Sequence, residues 1–513
     1  MGQIKSYFLL ILVAFLLCES YLFYYHSMPL TLGESDGIEY MQGATGPLLK
    51  IDDFHGPGYP WAIRLVHWTG LGLFSAAKVV SIVFGVLFLV ATWLLLSSVA
   101  GTPNAIMSTL LILANSIFLF SGTLILSDIM AASLMLMGLA VILAFSDADR
   151  KVFIFSGALC GLAYLTRYIY IIALAAPLLW LLLSPRGPGR IQRAVLFFTG
   201  FSLVTAPWMV FLYSEKGSPF WNINYLNVAY AMYSKTRLTA GGDAGVFRTQ
   251  FNGLIDVISS DPGLFVNNCL RNFLYLPWSA LKMFSLAGLF GAAGWLFWFK
   301  DLNWKKKFLG LIMLLYCLVL CTTWLENRLL LLMLPLTASF ISAGILALPG
   351  NVVLPLVKLF TMKSLRVAVS HFVAVIAVTA LSISAAVNVQ SFFDDEAPEY
   401  VVAAEWLSTR AKYSNLSILA AKPHIAFLSN SQNRDFRDCM LQYVGEADLP
   451  QMLKAVKPDY FVYDERYAFR VFPQFGRLLY PENNPYPGIL KPVLTIYSPK
   501  KIVIYKYLGQ TVP

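Results

Sequence analysis

Long apolar runs alternate with short polar stretches through the first 390 residues of the chain. An apolar run of roughly 20 residues is long enough to cross a bilayer as a helix. The pattern predicts eleven spans, at about 7–26, 77–98, 105–122, 128–146, 153–166, 169–184, 194–213, 281–299, 308–323, 329–348 and 367–389. Several are short for a bilayer, and we expect them to extend into their polar flanks.

The first run begins close to the N-terminus, in MGQIKSYFLLILVAFLLCESYLF. A cleaved signal peptide and an uncleaved first span can both begin with such a sequence. The run is long and lacks a clear exit motif of small residues, which favours an uncleaved span.

The chain becomes much more polar after about residue 391. Its segment APEYVVAAEWLSTRA has the pattern of a helix, and LSILAAK, YFVYD and KIVIYKY have the pattern of strands. The sequence therefore predicts a polytopic α-helical transmembrane domain at 1–390 and a small extracytoplasmic α/β domain at 391–513.

The composition agrees with lipid as the solvent of most of the chain. Hydrophobic residues make up 58% of it and charged residues 13%, whereas soluble globular chains are about 25% charged. Six cysteines are scattered without a CxxC pair, so we expect no disulfide framework. Cys317 and Cys321 share one helix face, where packing is the preferred interpretation.

The net charge of +10 is better explained by the orientation of the chain in the membrane than by binding to nucleic acid. In chains with many spans, Lys and Arg accumulate in cytoplasmic loops. With the N-terminus in the cytoplasm, the predicted inner loops 146–151, 184–193, 300–307 and 349–366 carry twelve of them. The short outer connections carry only Arg167 and Arg328.

In this orientation the loops 28–76 and 214–280 and the tail face outward. Ionisable residues then gather at the outer ends of spans, namely Asp36, Asp128, Arg167, Glu326 and Arg328. Charged groups at the edge of apolar spans are costly and often mark a site. We expect one outward-facing cavity.

Each of these residues also has a plainer interpretation. Asp128 could only cap its helix, and the side chain of Arg167 could reach the lipid headgroups. Glu326 and Arg328 could simply pair with each other. Ordinary solvated loop residues remain an alternative for three further positions, Asp36, Lys50 and His55.

The first outer loop contains the segment HGPGYPWAIRLVHW. Gly56, Pro57, Gly58 and Pro60 predict a turn that no helix continues. The following Tyr and Trp residues suit a membrane interface. We expect the loop to fold onto the membrane surface and to enter an amphipathic stretch at about 59–70.

These elements together resemble the GT-C superfamily of membrane glycosyltransferases. More narrowly, the chain resembles the clan of protein O-mannosyltransferases and aminoarabinose transferases, in its RgtA-like bacterial branch. The matching segments lie within about residues 1–350; they are SDGIEYMQGA, HGPGYPWAI, SDIMAASLMLMGLAVIL, GALCGLAYLTRYIYIIALAAPLLWLL, TAPWMVFLYSEKGSPF and ENRLLLLMLP.

The resemblance implies a sugar donor linked to a polyprenyl phosphate and used at the outer face of the membrane. Asp36 matches the family's first-loop acid, the expected general base, and Asp128 matches a second catalytic acid near the site. His55 lies where relatives place a residue that approaches the donor phosphate. The mannosyltransferases have Asp-Glu in the first loop, whereas Gly37 follows Asp36 here. This difference leaves the acceptor class open, and the role of a second adjacent acid is either absent or moved, for example to Glu39.

The chemistry of such a transfer needs a carboxylate that takes the acceptor's proton and groups that stabilise the departing phosphate. Arg167, Arg328, His55 and Lys50 are the candidate phosphate partners, since Arg donates two parallel hydrogen bonds to phosphate. Tyr59 and Glu326 complete the predicted substrate-binding set. The reaction requires no metal, and a divalent-metal site of Asp36, Asp128 and His55 stays open as an alternative.

Two other classes of protein remain rivals. A secondary transporter would place polar residues near the membrane midplane, often in two repeated halves, and we find no clear repeat. A polysaccharide polymerase or ligase would carry several Arg or His residues in a large outer loop, whereas 214–280 has three Arg and no His. The expected partners are a polyprenyl-phosphate sugar, a glycan, glycolipid or protein acceptor, and membrane lipids. The expected location is the bacterial inner membrane, with the site on the periplasmic side.

Overall fold

The structure is a computed structural model. It describes residues 2–25, 35–49, 54–145, 151–183, 189–233, 247, 250–300, 302–348, 374–388, 397–411, 416–429, 441 and 445–509. Two compact units divide the chain. The first comprises Met1–Tyr25, Gly43–Met232 and Ile255–Ser391, and the second comprises His26–Gln42, Tyr233–Leu254 and Phe392–Pro513. The predicted boundary near residue 391 lies beside the last of these segments, and two shorter segments of the second unit come from the predicted outer loops.

Helices dominate the described chain up to residue 388. They are α1 (Gly2–Tyr25), α2 (Ser35–Thr45), α3 (Gly58–His67), α4 (Leu73–Ala100), α5 (Thr102–Leu113), α6 (Ser116–Thr123), α7 (Asp128–Phe145), α8 (Lys151–Thr166), α9 (Ile172–Leu183), α10 (Arg190–Lys216), α11 (Tyr225–Tyr233), α12 (Leu254–Ser260), α13 (Pro262–Lys282), α14 (Leu289–Lys300), α15 (Trp304–Cys321), α16 (Leu334–Leu348) and α17 (Ala374–Asn388). Short 3-10 helices occupy Tyr168–Ile171, Ser285–Gly288 and Asn327–Met333.

Four helical stretches among the described residues are long and apolar enough to cross a membrane: Leu73–Ala100, Asp128–Phe145, Arg190–Lys216 and Asn327–Ala347. A bent pair, Thr102–Leu113 with Ser116–Thr123, makes a fifth candidate. Shorter apolar helices cover Leu9–Ser20, Lys151–Thr166, Tyr168–Leu183 and Ala374–Asn388. The helical membrane fold is therefore as expected, and the count of eleven spans stays a prediction.

The predicted span 105–122 is broken in the middle, with a bend of 65° between α5 and α6. Asn115 lies at the break and caps α6, because its Oδ1 accepts the backbone N–H of Ile117 at 3.0 Å and of Phe118 at 3.3 Å. Its Nδ2 donates to the carbonyl of Met283 at 2.9 Å. A polar side chain that satisfies the broken backbone makes such a bend tolerable in an apolar segment.

The two predicted outer loops are largely helical where they are described. Pro60 lies in the first turn of α3, where a missing N–H costs no helical hydrogen bond. The predicted turn is therefore shorter than expected, since Gly58 and Pro60 already belong to α3, and this helix covers most of the amphipathic stretch expected at about 59–70. The range 214–280 contains α11, α12 and most of α13. Asp261 caps α13 by accepting the N–H of Leu264 at 2.8 Å.

Small residues set the closest helix contacts in the first unit. A Cβ on Gly157 of α8 would lie 2.0 Å from the carbonyl oxygen of Phe197, and one on Gly200 of α10 would lie 1.9 Å from that of Ile154. Backbone contacts this close require glycine, as is common between membrane helices. These contacts fix the position of α8 along α10, and hence the position of the residues that follow α8.

The tail contains a four-stranded sheet of order β1-β2-β4-β3. Its strands are β1 (Ile418–Ala420), β2 (Tyr460–Asp464), β3 (Leu490–Ile496) and β4 (Ile502–Tyr507). The pair β1–β2 is parallel, and the other two pairs are antiparallel. Helix α18 (Pro398–Ala411) precedes the sheet. The helix and three of the strands lie where the pattern predicts them.

Alternate residues of β4 enter two apolar clusters on opposite faces of this sheet. Val503 and Tyr505 pack on one face, and Ile502 and Ile504 pack on the other. The sheet is therefore buried on both faces at its centre. The sequence analysis missed strand β3 because Pro492 interrupts its pattern. The strand lies at the edge of the sheet, where proline is tolerated.

Candidate active site

Asp128 and Arg167 form a buried ion pair. Asp128 is the first residue of α7, and Arg167 follows the last residue of α8. The Nη1 of Arg167 lies 2.6 Å from Oδ1 of Asp128, and the two side chains are 17% and 4% exposed. Asp128 therefore does more than cap its helix, and Arg167 does more than reach toward headgroups.

The extended backbone of Arg167 explains why its side chain stands at this position. Its φ and ψ of −146° and 124° end α8, and the 3-10 helix Tyr168–Ile171 begins directly afterwards. The hydroxyl of Tyr168 accepts a hydrogen bond from Trp208 of α10 at 3.1 Å. The turn is thus tied to the helix that already holds α8.

The segment HGPGY of the first loop packs against the same turn. A Cβ on Gly56 would lie 1.9 Å from the carbonyl oxygen of Leu165, and one on Gly58 would lie 2.8 Å from Oγ1 of Thr166. The glycines therefore permit a backbone contact that side chains would prevent. This contact brings the backbone beside His55, which is half-buried, to the residues that precede Arg167.

Tyr59 is fully buried in the first unit. Its hydroxyl forms a 2.7 Å hydrogen bond with Ser81 of α4, and Ser81 Oγ also donates to the carbonyl of Leu124 at 2.9 Å. These are the contacts of a residue that anchors the loop to the helices. A direct role in binding substrate stays a prediction for Tyr59.

Glu326 and Arg328 pair with each other, as the plainer interpretation of the sequence allowed. Nε of Arg328 lies 2.5 Å from Oε2 of Glu326, and the side chains are 27% and 43% exposed. Both lie at the start of the 3-10 helix Asn327–Met333. The carbonyl of Leu329 in that helix accepts a hydrogen bond from Tyr316 at 2.6 Å.

A tyrosine pair connects this helix with the Arg167 turn. The rings of Tyr170 and Tyr316 lie 5.9 Å apart between centroids. Tyr170 belongs to the 3-10 helix after Arg167, and Tyr316 donates to the carbonyl of Leu329, the residue after Arg328. The two predicted phosphate partners in the first unit are therefore linked through packed aromatic side chains.

Asp36 belongs to the second unit, in the first turn of α2. A carboxylate there is favoured by the positive end of the helix dipole. Asp36 interacts electrostatically with Lys422, a residue of the tail in the same unit. Burial lowers the pKa of the Lys422 ammonium, and the negative charge of Asp36 opposes that shift. The Lys422 Nζ also lies 4.5 Å from the ring centroid of Tyr467.

Three further ionisable residues were missed by the sequence analysis. Lys422 follows strand β1 directly, and its local pattern does not distinguish it from a solvated loop residue. Glu19 and Lys78 lie in apolar helices and are 1% and 5% exposed. A charge within an apolar span was a usable signal for both. Lys50, by contrast, lies outside the described residues.

A metal-binding cluster is absent from the described part of the chain. No three His, Cys, Asp or Glu side chains come together there in a way that could hold an ion. The candidate groups are instead ion pairs at the ends of helices.

The comparison with protein families gives one match. Residues 54–213 match the family described as dolichyl-phosphate-mannose-protein mannosyltransferase. This range contains the HGPGY segment, Asp128 and Arg167. A comparison with curated proteins gives no match.

Solved structures match over most of the chain. The archaeal oligosaccharyltransferase AglB from Archaeoglobus fulgidus, in complex with an inhibitory peptide and a dolichol-phosphate, matches with a TM-score of 0.59 and 15% identity, covering 90% of this chain and 69% of that chain. ArnT from Cupriavidus metallidurans in the apo state matches with a TM-score of 0.55 and 14% identity, covering 99% and 98%. ArnT bound to undecaprenyl phosphate matches with a TM-score of 0.54 and 14% identity, covering 100% and 99%.

These matches agree with the motifs read from the sequence. The family match covers the segments that meet at the Asp128–Arg167 pair, and the structural matches extend through the tail. The resemblance is confirmed: residues 54–213 match the mannosyltransferase family, and the chain shares the fold of the AglB and ArnT structures.

Proposed function

We propose that the protein transfers a sugar from a polyprenyl-phosphate-linked donor to a hydroxyl acceptor at the outer face of the membrane. The observation that carries this proposal is the meeting of three segments within the family-matched range 54–213, where Asp128 pairs with Arg167 and the HGPGY segment packs on the turn. Further support comes from AglB and ArnT, whose structures hold a dolichol-phosphate and an undecaprenyl phosphate.

Asp36 acts as the general base in this proposal. Its carboxylate takes the proton of the acceptor hydroxyl while the hydroxyl oxygen forms a bond to the anomeric carbon. The bond from that carbon to the phosphate oxygen breaks, and its electron pair leaves with the lipid phosphate. A single displacement of this kind inverts the configuration at the anomeric carbon. The ammonium of Lys422 favours the ionised carboxylate that a base requires.

Arg167 stabilises the departing phosphate. Its guanidinium can donate two parallel hydrogen bonds to phosphate oxygens, and Asp128 holds it in one orientation through the 2.6 Å contact. A group that is oriented before the reaction stabilises charge without reorganising during it. His55, Arg328 and Lys50 are the further phosphate partners in this proposal.

The experiment is a transfer assay with purified protein in proteoliposomes. The vesicles receive polyprenyl-phosphate sugars and a membrane glycolipid extract, and the product is followed by mass spectrometry. Three proteins are compared: wild type, Asp36→Asn, which removes the base but keeps the shape, and Glu39→Gln, a matched charge removal on the same helix.

We expect transfer with wild type and with Glu39→Gln, and no transfer with Asp36→Asn. Loss in Glu39→Gln alone would move the base to Glu39. Equal activity in all three would make Asp128 the next candidate. If wild type transfers no sugar from any donor, the proposal fails, and flux of the same compounds across the vesicles would support a transporter.

A further inference from the structure

Two ionisable side chains lie buried in apolar helices of the first unit. Glu19 belongs to α1 and is 1% exposed, and Lys78 belongs to α4 and is 5% exposed. Ionisable groups this deeply buried are retained at a cost in free energy, so their hydrogen-bond partners indicate their structural role.

Both side chains bind Thr123, the last residue of α6. Lys78 Nζ donates to the backbone carbonyl of Thr123 at 2.5 Å, and the hydroxyl of Thr123 donates to Oε2 of Glu19 at 2.9 Å. The contact is tight, since a Cβ on the neighbouring Gly122 would lie 2.7 Å from Oε1 of Glu19. The end of α6 is therefore fixed from two other helices.

The next residue is fixed as well. Ser81, on α4 with Lys78, donates to the carbonyl of Leu124 at 2.9 Å and forms the 2.7 Å hydrogen bond with Tyr59. The carbonyls of Thr123 and Leu124 belong to the end of a helix, where the helix itself supplies no partner. A cation there also interacts favourably with the helix dipole.

These contacts lie directly before the catalytic candidate in the chain. The turn that begins at Leu124 ends at Ser127, and Asp128 opens α7. A displacement of Thr123 and Leu124 moves the start of α7, and with it the carboxylate that orients Arg167. The distance of 2.6 Å between those two side chains leaves little tolerance for such a movement.

We propose that Glu19, Lys78 and Ser81 are positioning residues that fix the turn after α6 so that Asp128 holds Arg167 in its phosphate-binding orientation. This inference rests on the proposed function, because it takes a polyprenyl phosphate as the ligand of Arg167. It adds a second layer of charged residues, from α1 and α4, to the site.

The test measures binding of undecaprenyl phosphate to the purified full-length protein in detergent, since binding remains measurable when transfer is lost. The variants are Lys78→Met, Ser81→Ala and the charge-neutral double variant Glu19→Gln/Lys78→Met, each made in wild type and in Asp128→Asn. Ser81→Ala leaves no buried charge behind, so it remains informative if Lys78→Met does not fold. Thermal unfolding is recorded for every protein.

We expect Lys78→Met to weaken binding about tenfold in wild type, and to change it little in Asp128→Asn, because interacting residues give non-additive effects. Ser81→Ala should weaken binding of undecaprenyl phosphate by a smaller factor, and this effect should likewise depend on Asp128. The neutral double variant should bind no better than Lys78→Met, since it also lacks the hydrogen bond to the carbonyl of Thr123; recovery of binding would trace the loss to an uncompensated charge and overturn the positioning role of Lys78.

Equal weakening in both backgrounds would overturn the positioning role and leave a purely structural one. Wild-type affinity in all three variants would overturn it too. A failure of the proposed function looks different, because wild type itself would then neither bind the lipid phosphate nor transfer sugar. In that case this inference falls with the function on which it rests.

Discussion

The guanidinium of Arg167 lies 2.6 Å from the carboxylate of Asp128, although 39 positions separate the two residues in the chain. Each stands at the end of a helix, where its backbone leaves the helical conformation or enters it. An ion pair at such a junction holds the planar guanidinium, which is always charged, in one orientation. It also makes the two side chains interdependent, and this dependence can be measured.

Replacing Arg167 should affect the donor more than the acceptor. Arg167→Ala removes the charge, and Arg167→Lys keeps the charge but loses the planar fork that binds two phosphate oxygens. We expect the KM for the polyprenyl-phosphate sugar to rise about tenfold or more with Arg167→Lys and further with Arg167→Ala, from the strength of charged hydrogen bonds. Steady-state kinetics with varied donor and varied acceptor provide the measurement.

The matched control for this prediction is Arg193→Lys. Arg193 lies near the start of α10, with its guanidinium carbon 5.7 Å from the ring centroid of Phe153. It should leave both KM values unchanged. A normal donor KM in the Arg167 variants would remove Arg167 from the phosphate site.

The contact between the first loop and the Arg167 turn gives a second prediction. Gly56→Ala would place a Cβ 1.9 Å from the carbonyl oxygen of Leu165, so the backbone has to move. We expect the variant to insert into membranes but to lose transfer by more than about tenfold, since small misplacements of a reacting group cost this much or more. Expression and transfer are measured on the same preparation.

Gly72→Ala serves as its control, because a Cβ on Gly72 meets nothing within 4 Å. Both changes add one methyl group to a glycine in the same region of the chain. If Gly56→Ala transferred sugar as well as Gly72→Ala does, the close approach of the loop to α8 would have no part in activity.

The sequence was most informative where a residue or a short segment differs clearly in polarity or residue type from its surroundings. Asp128 and Arg167 stood out because ionisable side chains are rare at the edges of apolar spans. The strands Tyr460–Asp464 and Ile502–Tyr507 stood out because they are short and rich in β-branched and aromatic residues. In each case the local pattern and the tertiary environment agree.

The misses have a different cause. Helix α13 was taken as loop because Asn268, Arg271 and Asn272 interrupt its apolar pattern. Asn272 in fact donates to the carbonyls of Cys321 and Thr323, which are distant in the chain. The interaction of Lys422 with Asp36 spans an even longer separation. Polar partners that meet only in the folded chain leave no periodic signal.

A third prediction concerns the pH dependence of transfer. Burial lowers the pKa of Lys422, so its positive charge is lost at a lower pH than that of an ordinary lysine. Above that pH the carboxylate of Asp36 loses its neighbouring cation. Lys422→Arg should keep a positive charge beside the Asp36 carboxylate at higher pH than wild type does, because the guanidinium stays protonated. Lys422→Met should move the acid limb of the profile upward, since the carboxylate then ionises less readily.

The measurement is the rate of transfer from about pH 4 to pH 10, a range that spans the ordinary titration of Asp and Lys side chains. Lys454→Met, which removes an exposed lysine from helix Leu449–Val456 of the same unit, is the control and should leave the profile unchanged. Identical profiles for wild type and both Lys422 variants would mean that this lysine does not act on the base.

The last prediction concerns the stability of the tail. Arg466 Nε lies 2.5 Å from Oε1 of Glu399, whose side chain is fully buried, and the pair connects helix α18 with the residues after β2. Arg466→Met leaves that carboxylate buried without its cation, which costs about 3–5 kcal/mol of folding free energy.

Lys500→Met is the matched control, because the Lys500–Glu465 pair is 3.8 Å long with both side chains more than 40% exposed, and such pairs contribute about 1 kcal/mol or less. Thermal unfolding and limited proteolysis of the full-length variants should show early cleavage in the tail with Arg466→Met and none with Lys500→Met. Equal resistance in the two would mean that α18 is held by its apolar face alone, through Tyr400, Ala404 and Leu407.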